Sequence, residues 1–167
     1  HHRGDWDLSR HKLTYKDEET GEEFTPWVIE TSGGVDRSAL FFLLNAYRED
    51  PSAGSGQARV VLKLHPKLAP VKVAVFPLLR NKPNLTKLAK DVYHDLKKKV
   101  SGMVVFDDRG NIGKRYFAQD EIGTPFCVTV DFQSLEDKTV TIRDRDTMKQ
   151  ERIQIQNLNK HLAEKFS

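Results

Sequence analysis

Residues 71–79 read V-K-V-A-V-F-P-L-L, a nearly unbroken apolar run with the length of a strand and the composition of one covered on both faces. A strand of that kind needs helices on either side of its sheet, and the following residues supply them. Leu85, Leu88, Ala89, Val92 and Leu96 recur at helical spacing, and Lys97, Lys98 and Lys99 close the run where cations favour a helix C-terminus. Residues 103–106 make a second strand, ended by the turn Asp107-Asp108-Arg109-Gly110. Residues 111–122 form a short helix stopped by Gly123 and Pro125. Residues 126–132 set Phe126, Val128, Val130 and Phe132 against Cys127, Thr129 and Asp131, which predicts a strand with one apolar face. Two short strands at 139–143 and 152–155 and a helix at 158–166 complete the order β-α-β-α-β-β-β-α. That order requires parallel crossovers followed by an antiparallel edge. The expected fold class is α/β, a five-stranded mixed sheet flanked by three helices.

The N-terminal part does not look self-sufficient. Residues 12–17 and 23–30 are candidate strands around the polar turn 18–22, where Gly21 suits a positive φ. A helix is expected over residues 36–48, and its S-A-L-F-F-L-L-N-A-Y run is apolar on nearly every face. Such a helix wants burial all round, and two strands cannot provide it. Residues 50–59 are small and polar, a flexible connection or surface loop. In residues 63–70, K-L-H-P-K-L-A-P, Pro66 and Pro70 favour an extended tether. The expected division is therefore 1–62 as the end of a larger domain, 63–70 as a linker and 71–167 as a complete C-terminal domain.

Composition narrows the function classes. Charged residues make up 31% and hydrophobic ones 38% of the 167, and no apolar run nears the roughly 18 residues of a membrane span. No signal-peptide pattern opens the sequence. A soluble, cytoplasmic protein without a membrane partner is expected. The single cysteine, Cys127, excludes a disulfide framework and a multi-cysteine zinc site. Mid-strand among apolar neighbours, it reads as an inert core thiol. The six histidines are scattered without i, i+4 spacing, so no metal site is expected. Net charge is +3, yet residues 51–100 carry 11 Lys and Arg against 2 Asp and Glu. That excess suits a phosphate-rich partner, or a solvated helix face.

Two stretches carry candidate chemistry. Glu30-Thr31-Ser32-Gly33-Gly34-Val35-Asp36-Arg37 reads as a strand end, two glycines and a helix start. Free N–H groups there attract anions, Glu30 and Ser32 suit an ammonium group, and Arg37 suits a phosphate. A plain strand-to-helix turn with Ser32 or Asp36 as N-cap would use the same residues. The second stretch places Arg115, Tyr116, Gln119, Asp120 and Glu121 on a short helix ahead of Gly123-Thr124-Pro125-Phe126. Arginine and tyrosine stack on unpaired bases, while amides and carboxylates read base edges. A solvated helix with a capped turn is the bland alternative.

Across these stretches the chain resembles the C-terminal part of the homodimeric class II glycyl-tRNA synthetases. His2-Arg3-Gly4-Asp5-Trp6-Asp7-Leu8 with His11 is similar to a family segment H-R-x-D-x-D-L-x-x-H, and residues 30–37 are similar to class II motif 3. Lys67-Leu68-Ala69-Pro70 and the run from Val73 look like the family's passage into its anticodon-binding domain. Residues 111–132 and Arg143-Asp144-Arg145-Asp146-Thr147-Met148 carry the most family-specific similarity. The resemblance implies a glycine pocket at Glu30, Thr31, Ser32, Gly33 and Gly34. It further implies ATP contacts at Gly34, Val35, Asp36 and Arg37, with Arg37 catalytic, and anticodon contacts at Arg115, Tyr116, Gln119, Asp120 and Glu121. The implied chemistry is attack of the glycine carboxylate on the ATP α-phosphate, with Mg2+ in the parent enzyme, then acyl transfer to tRNA(Gly). Thr31 stands where the family usually has proline. Class II motifs 1 and 2 are absent, so the chain alone is expected to bind no ATP or Mg2+ and to be inactive. A non-enzymatic RNA-binding module is the competing reading, and a threonyl, prolyl or histidyl synthetase is a third.

Overall fold

The computed structural model describes residues 14–27, 29–51 and 58–166. The chain divides into two compact units, one ending at Val35 and one beginning at Asp36. In the first, β1 (Tyr15–Lys16) and β2 (Glu23–Phe24) pair antiparallel, with Tyr15 opposite Phe24 and their rings edge to face at 5.7 Å. The Asp17 carboxylate accepts from the amides of Glu19 and Thr20, and Gly21 takes φ +75°, the left-handed geometry expected at that turn. The strands are far shorter than the sequence suggests, and Trp27 and Ile29 are exposed. The segment around His2 and His11 lies outside the described residues.

Helix α1 runs Val35–Ala46 and stops two residues earlier than expected. Tyr47 turns instead into β3 (Tyr47–Asp50), which pairs antiparallel with β4 (Arg59–Leu62); the helical run concealed the start of β3, and the apparent connection at 50–59 concealed the start of β4. The Lys63 amide donates to the Ala46 carbonyl at 2.7 Å, starting the ladder at the helix end. Residues 63–70 are not a free extended tether either. Leu64 and Ala69 are buried against Ala46, and the amides of Leu68 and Ala69 fold back onto the His65 carbonyl. Two short apolar side chains outweigh the extending preference of the prolines.

The main sheet follows the expected order. Strand β5 (Val71–Pro77) leads through α2 (Pro83–Lys99) to β6 (Met103–Phe106), then through α3 (Ile112–Ile122) to β7 (Phe126–Val130). A one-and-a-half-turn helix, α4 (Phe132–Asp137), precedes β8 (Thr139–Asp144), β9 (Gln150–Gln154) and α5 (Leu158–Phe166). The strand order is β6-β5-β7-β8-β9, parallel across the first three and antiparallel across the last two. Helix α4 was not legible because Asp131 and Phe132 continue the strand alternation. The Asp131 carboxylate nevertheless caps Ser134 and ends the strand at Val130.

Strand alternation sorts the two faces. Val73, Val75, Val104, Val128, Val130, Val140 and Ile142 point to one side, where Leu85, Ala89, Val92 and Leu96 of α2 and Leu158 and Leu162 of α5 close over them. Each such buried aliphatic side chain contributes about 1.5–3 kcal/mol. Ala74, Phe76 and Cys127 point to the other side, under Ile112 and Tyr116 of α3. Burial pushes the Cys127 thiol well up, which keeps it protonated and unreactive. Gly123 ends α3 at φ +82°, and a Cβ there would meet the Leu62 carbonyl at 3.0 Å, so only glycine lets α3 pack this closely on β4.

Candidate nucleic-acid interface

Strand β5 lies between β6 and β7, and the two crossovers, β5-α2-β6 and β6-α3-β7, pack on opposite faces of the sheet. The carboxyl ends of these three strands therefore bound an open switch point, the usual place for a ligand in such sheets. Three elements rim it: residues 78–82 after β5, 107–111 after β6, and the Asp131 cap after β7. Arg115 holds this rim together from below. Its Nη1 donates to the Pro77 carbonyl at 2.6 Å and the Asp107 carbonyl at 3.3 Å, and its Nη2 to the Leu78 carbonyl at 3.2 Å. Burial lowers the pKa of its guanidinium, partly offset by Asp107 and Asp108. Its Nε–H is buried without a partner among the described residues.

What the rim offers to solvent is basic and aromatic. Burial would raise the Asp107 carboxyl, but the hydrogen bonds and charge of Arg109 outweigh it and hold that carboxyl below its ordinary value. The pairing at 3.0 Å anchors the base of Arg109 and leaves its side chain 85% exposed. Arg80 is 71% exposed and only loosely paired with Asp108, at 3.9 Å. Phe132, at the start of α4, is 47% exposed. Arg152 donates to both oxygens of Asp131 at 2.7 and 3.1 Å, lowering that carboxyl's pKa and fixing the turn that presents Phe132.

The residues singled out on α3 behave differently from one another. Only Glu121 is exposed; Arg115, Gln119 and Asp120 are buried and Tyr116 half-buried. Thr124 donates its hydroxyl to the Gln119 side-chain oxygen at 2.7 Å. The Tyr116 hydroxyl shares a 2.6 Å hydrogen bond with Thr129, and its ring lies under the Arg143 guanidinium at 4.9 Å. Burial raises the Tyr116 phenol, with the Thr129 hydrogen bond acting in the opposite sense.

Asp120 is wholly buried and engaged on both oxygens. Arg143 donates to it twice, at 2.9 and 3.0 Å, and Arg59 of β4 once, at 2.7 Å. Burial alone would lower the Arg143 guanidinium, but the hydrogen bonds and charge of Asp120 outweigh it and raise it. Arg145 extends the cluster, donating to the Gly123 and Leu64 carbonyls at 2.8 Å each and pairing with Asp146. The helix therefore turns Gln119 and Asp120 inward, away from any base. Buried there, neither of these two expected anticodon contacts presents an edge to solvent, because the α3 face that looked solvent-facing is covered by β4.

Glu30, Thr31, Ser32, Gly33, Gly34, Val35, Asp36 and Arg37 are all exposed, and nothing lies within 4 Å of a Cβ built on Gly33. No group of three metal-ligating side chains occurs among the described residues. Among the described residues, no helix is long and apolar enough to cross a membrane.

The family described as "Anticodon binding domain" matches residues 72–165. The chain belongs to this family. Over nearly its whole length it is also similar to curated glycine–tRNA ligases. It is 53% identical to that of Thermobifida fusca over 174 residues, covering 99% of this chain and 37% of the relative. It is 52% identical to that of Caldanaerobacter subterraneus, covering 98% and 35%. The chain thus spans little more than a third of the length of the curated relatives it matches. Among solved structures, prolyl-tRNA synthetase from Cryptosporidium parvum, complexed with L-proline and AMP, aligns with a TM-score of 0.55 and 30% identity. That alignment covers 62% of this chain and 23% of that one.

In the anticodon-binding unit, sequence inspection missed Arg80, Arg109 and Phe132 at the rim and Arg59 as a partner of Asp120. The rim was findable, since a β-α-β-α-β order already says which loops follow the parallel strands. Arg59 was not, because it lies in the stretch that read as a connection.

Proposed function

We propose that this chain is the C-terminal part of a glycine–tRNA ligase and that its anticodon-binding unit takes the anticodon loop of tRNA(Gly) at the switch point. The observation carrying this reading is similarity at about half of all positions to glycine–tRNA ligases along almost the entire chain. The rim chemistry supports it, since exposed Arg80, Arg109 and Phe132 supply the cations and the flat ring that unpaired bases stack on. Arg115 acts as a positioning residue beneath them.

Residues 30–37 would then form one wall of the glycine and ATP site, with Glu30 and Ser32 toward the glycine ammonium and Arg37 toward ATP. The other walls, the Mg2+ ligands and the homodimer interface would come from the rest of a cytoplasmic enzyme. Exposure of Leu40, Phe41, Phe42, Leu43 and Leu44 on α1 fits this, because an apolar helix face of that extent needs a covering domain.

Replacing Phe132 by alanine removes one stacking platform and is expected to weaken stem-loop binding by about 1–3 kcal/mol. Arg109→Ala is expected to weaken it by a similar or smaller amount. Fluorescence anisotropy with a labelled glycine-tRNA anticodon stem-loop measures both. Unchanged affinity in both variants removes the rim from the interface.

A further inference from the structure

Helix α2 carries three of its five lysines in one line. Lys87, Lys90, His94 and Lys97 follow i, i+3, i+7 and i+10, a single stripe spanning roughly 15 Å of helix axis. The opposite face is Leu85, Ala89, Val92 and Leu96, all buried in the core, so the stripe's orientation is fixed by packing. Lys90 is further held beside the Phe106 ring at 5.9 Å, and Lys97 beside that of Tyr93 at 5.7 Å.

An ordinary solvated helix face intersperses charges of both signs. Here the paired cation is Lys99, bonded to Asp95 at 2.7 Å off the stripe, whereas Lys87, Lys90 and Lys97 make no salt bridge among the described residues. The upper half of the stripe borders a groove of 510 Å³ whose described lining includes one carboxylate, Asp91, beside Arg80, Lys87, Lys90 and His94. Arg80 belongs both to this groove and to the rim of the switch point. Basic side chains thus follow one another from the carboxyl ends of the strands, at Arg80, down α2 through Lys87, Lys90 and Lys97, with Asp91 the carboxylate beside them.

We infer that this face is a rail for the phosphate backbone of the RNA stem that adjoins the loop held at the switch point. This rests on the reading that the switch point takes an anticodon loop, and it assigns the stem a separate surface. Unlike rim contacts, a rail of lysines binds phosphates without regard to sequence, so it raises affinity for every stem-loop by the same factor. It leaves discrimination between loops to the rim.

The test is Lys87→Gln with Lys90→Gln in the 167-residue chain, titrated with a glycine-tRNA stem-loop and with one of altered anticodon at several salt concentrations. Neutralising two phosphate contacts should make the slope of log K against log salt shallower by roughly two and lower affinity at least about tenfold at low salt. The native-to-altered ratio should stay as in the parent chain, and an unchanged thermal melt confirms that the fold is intact. An unchanged slope and affinity overturn the rail, even where the parent chain discriminates between the two loops. A parent chain that binds both loops equally, with a slope that still falls in the variant, overturns the loop assignment and leaves the rail standing.

Discussion

Asp120→Asn is expected to lower the unfolding free energy of the chain by about 3–5 kcal/mol, because it leaves buried charge without its counter-charge. Asparagine keeps the volume and one acceptor oxygen, so the loss reports charge rather than a cavity. Arg59 and Arg143, whose side chains are 1% and 6% exposed, both donate to this carboxylate; Arg59 keeps a second one, Asp50 at 3.7 Å, so the charge left without a counter-charge is that of Arg143. A buried guanidinium keeps its five N–H donors and its charge, so it must keep a partner or reach water. Typical domains are stable by only about 5–15 kcal/mol, so this substitution consumes a large part of the whole. Urea denaturation at neutral pH measures the loss. The triple replacement Asp120→Leu, Arg59→Met and Arg143→Met is expected to recover most of it, since apolar side chains often match a buried ion cluster in stability. A loss below about 1 kcal/mol for Asp120→Asn contradicts this account of the cluster.

The second large effect concerns catalysis. Incubated with glycine, ATP and labelled pyrophosphate, the chain alone is expected to give no glycine-dependent exchange. The physical reason is the openness of residues 30–37. A site that activates a carboxylate needs positioned cations around the α-phosphate and exclusion of water, and an exposed strand end followed by an exposed helix start supplies neither. Detectable exchange would mean that these residues suffice, and would overturn the proposal that the other walls lie elsewhere.

The sequence made the C-terminal sheet legible because each signal there has a local cause. The run from Val71, the 3–4 spacing of Leu85, Leu88, Val92 and Leu96, and Gly123 as a helix stop all act within a few residues of themselves. The β3–β4 pair was not legible, because its strands meet across residues 50–59, which look like a simple connection. The same gap misled the reading of α3. Amphipathic analysis gives Gln119 and Asp120 a solvent-facing role unless the side covered by β4 is known. Asp120 and Arg59 are 61 residues apart, a distance over which single-sequence periodicity carries no information. The arginines of Arg143-Asp144-Arg145-Asp146 did stand out as a motif. Their work is to bind Asp120 and backbone carbonyls, which spacing cannot distinguish from an RNA-facing role.

The central claim is that this chain reads an anticodon, and binding at fixed salt tests it directly. One ligand is the anticodon stem-loop of a glycine tRNA; the other has its second and third anticodon cytosines changed. With each base-edge contact worth about 1–3 kcal/mol, the account predicts at least about tenfold tighter binding of the native loop. Equal affinity for the two would reduce the interaction to charge alone and contradict the claim.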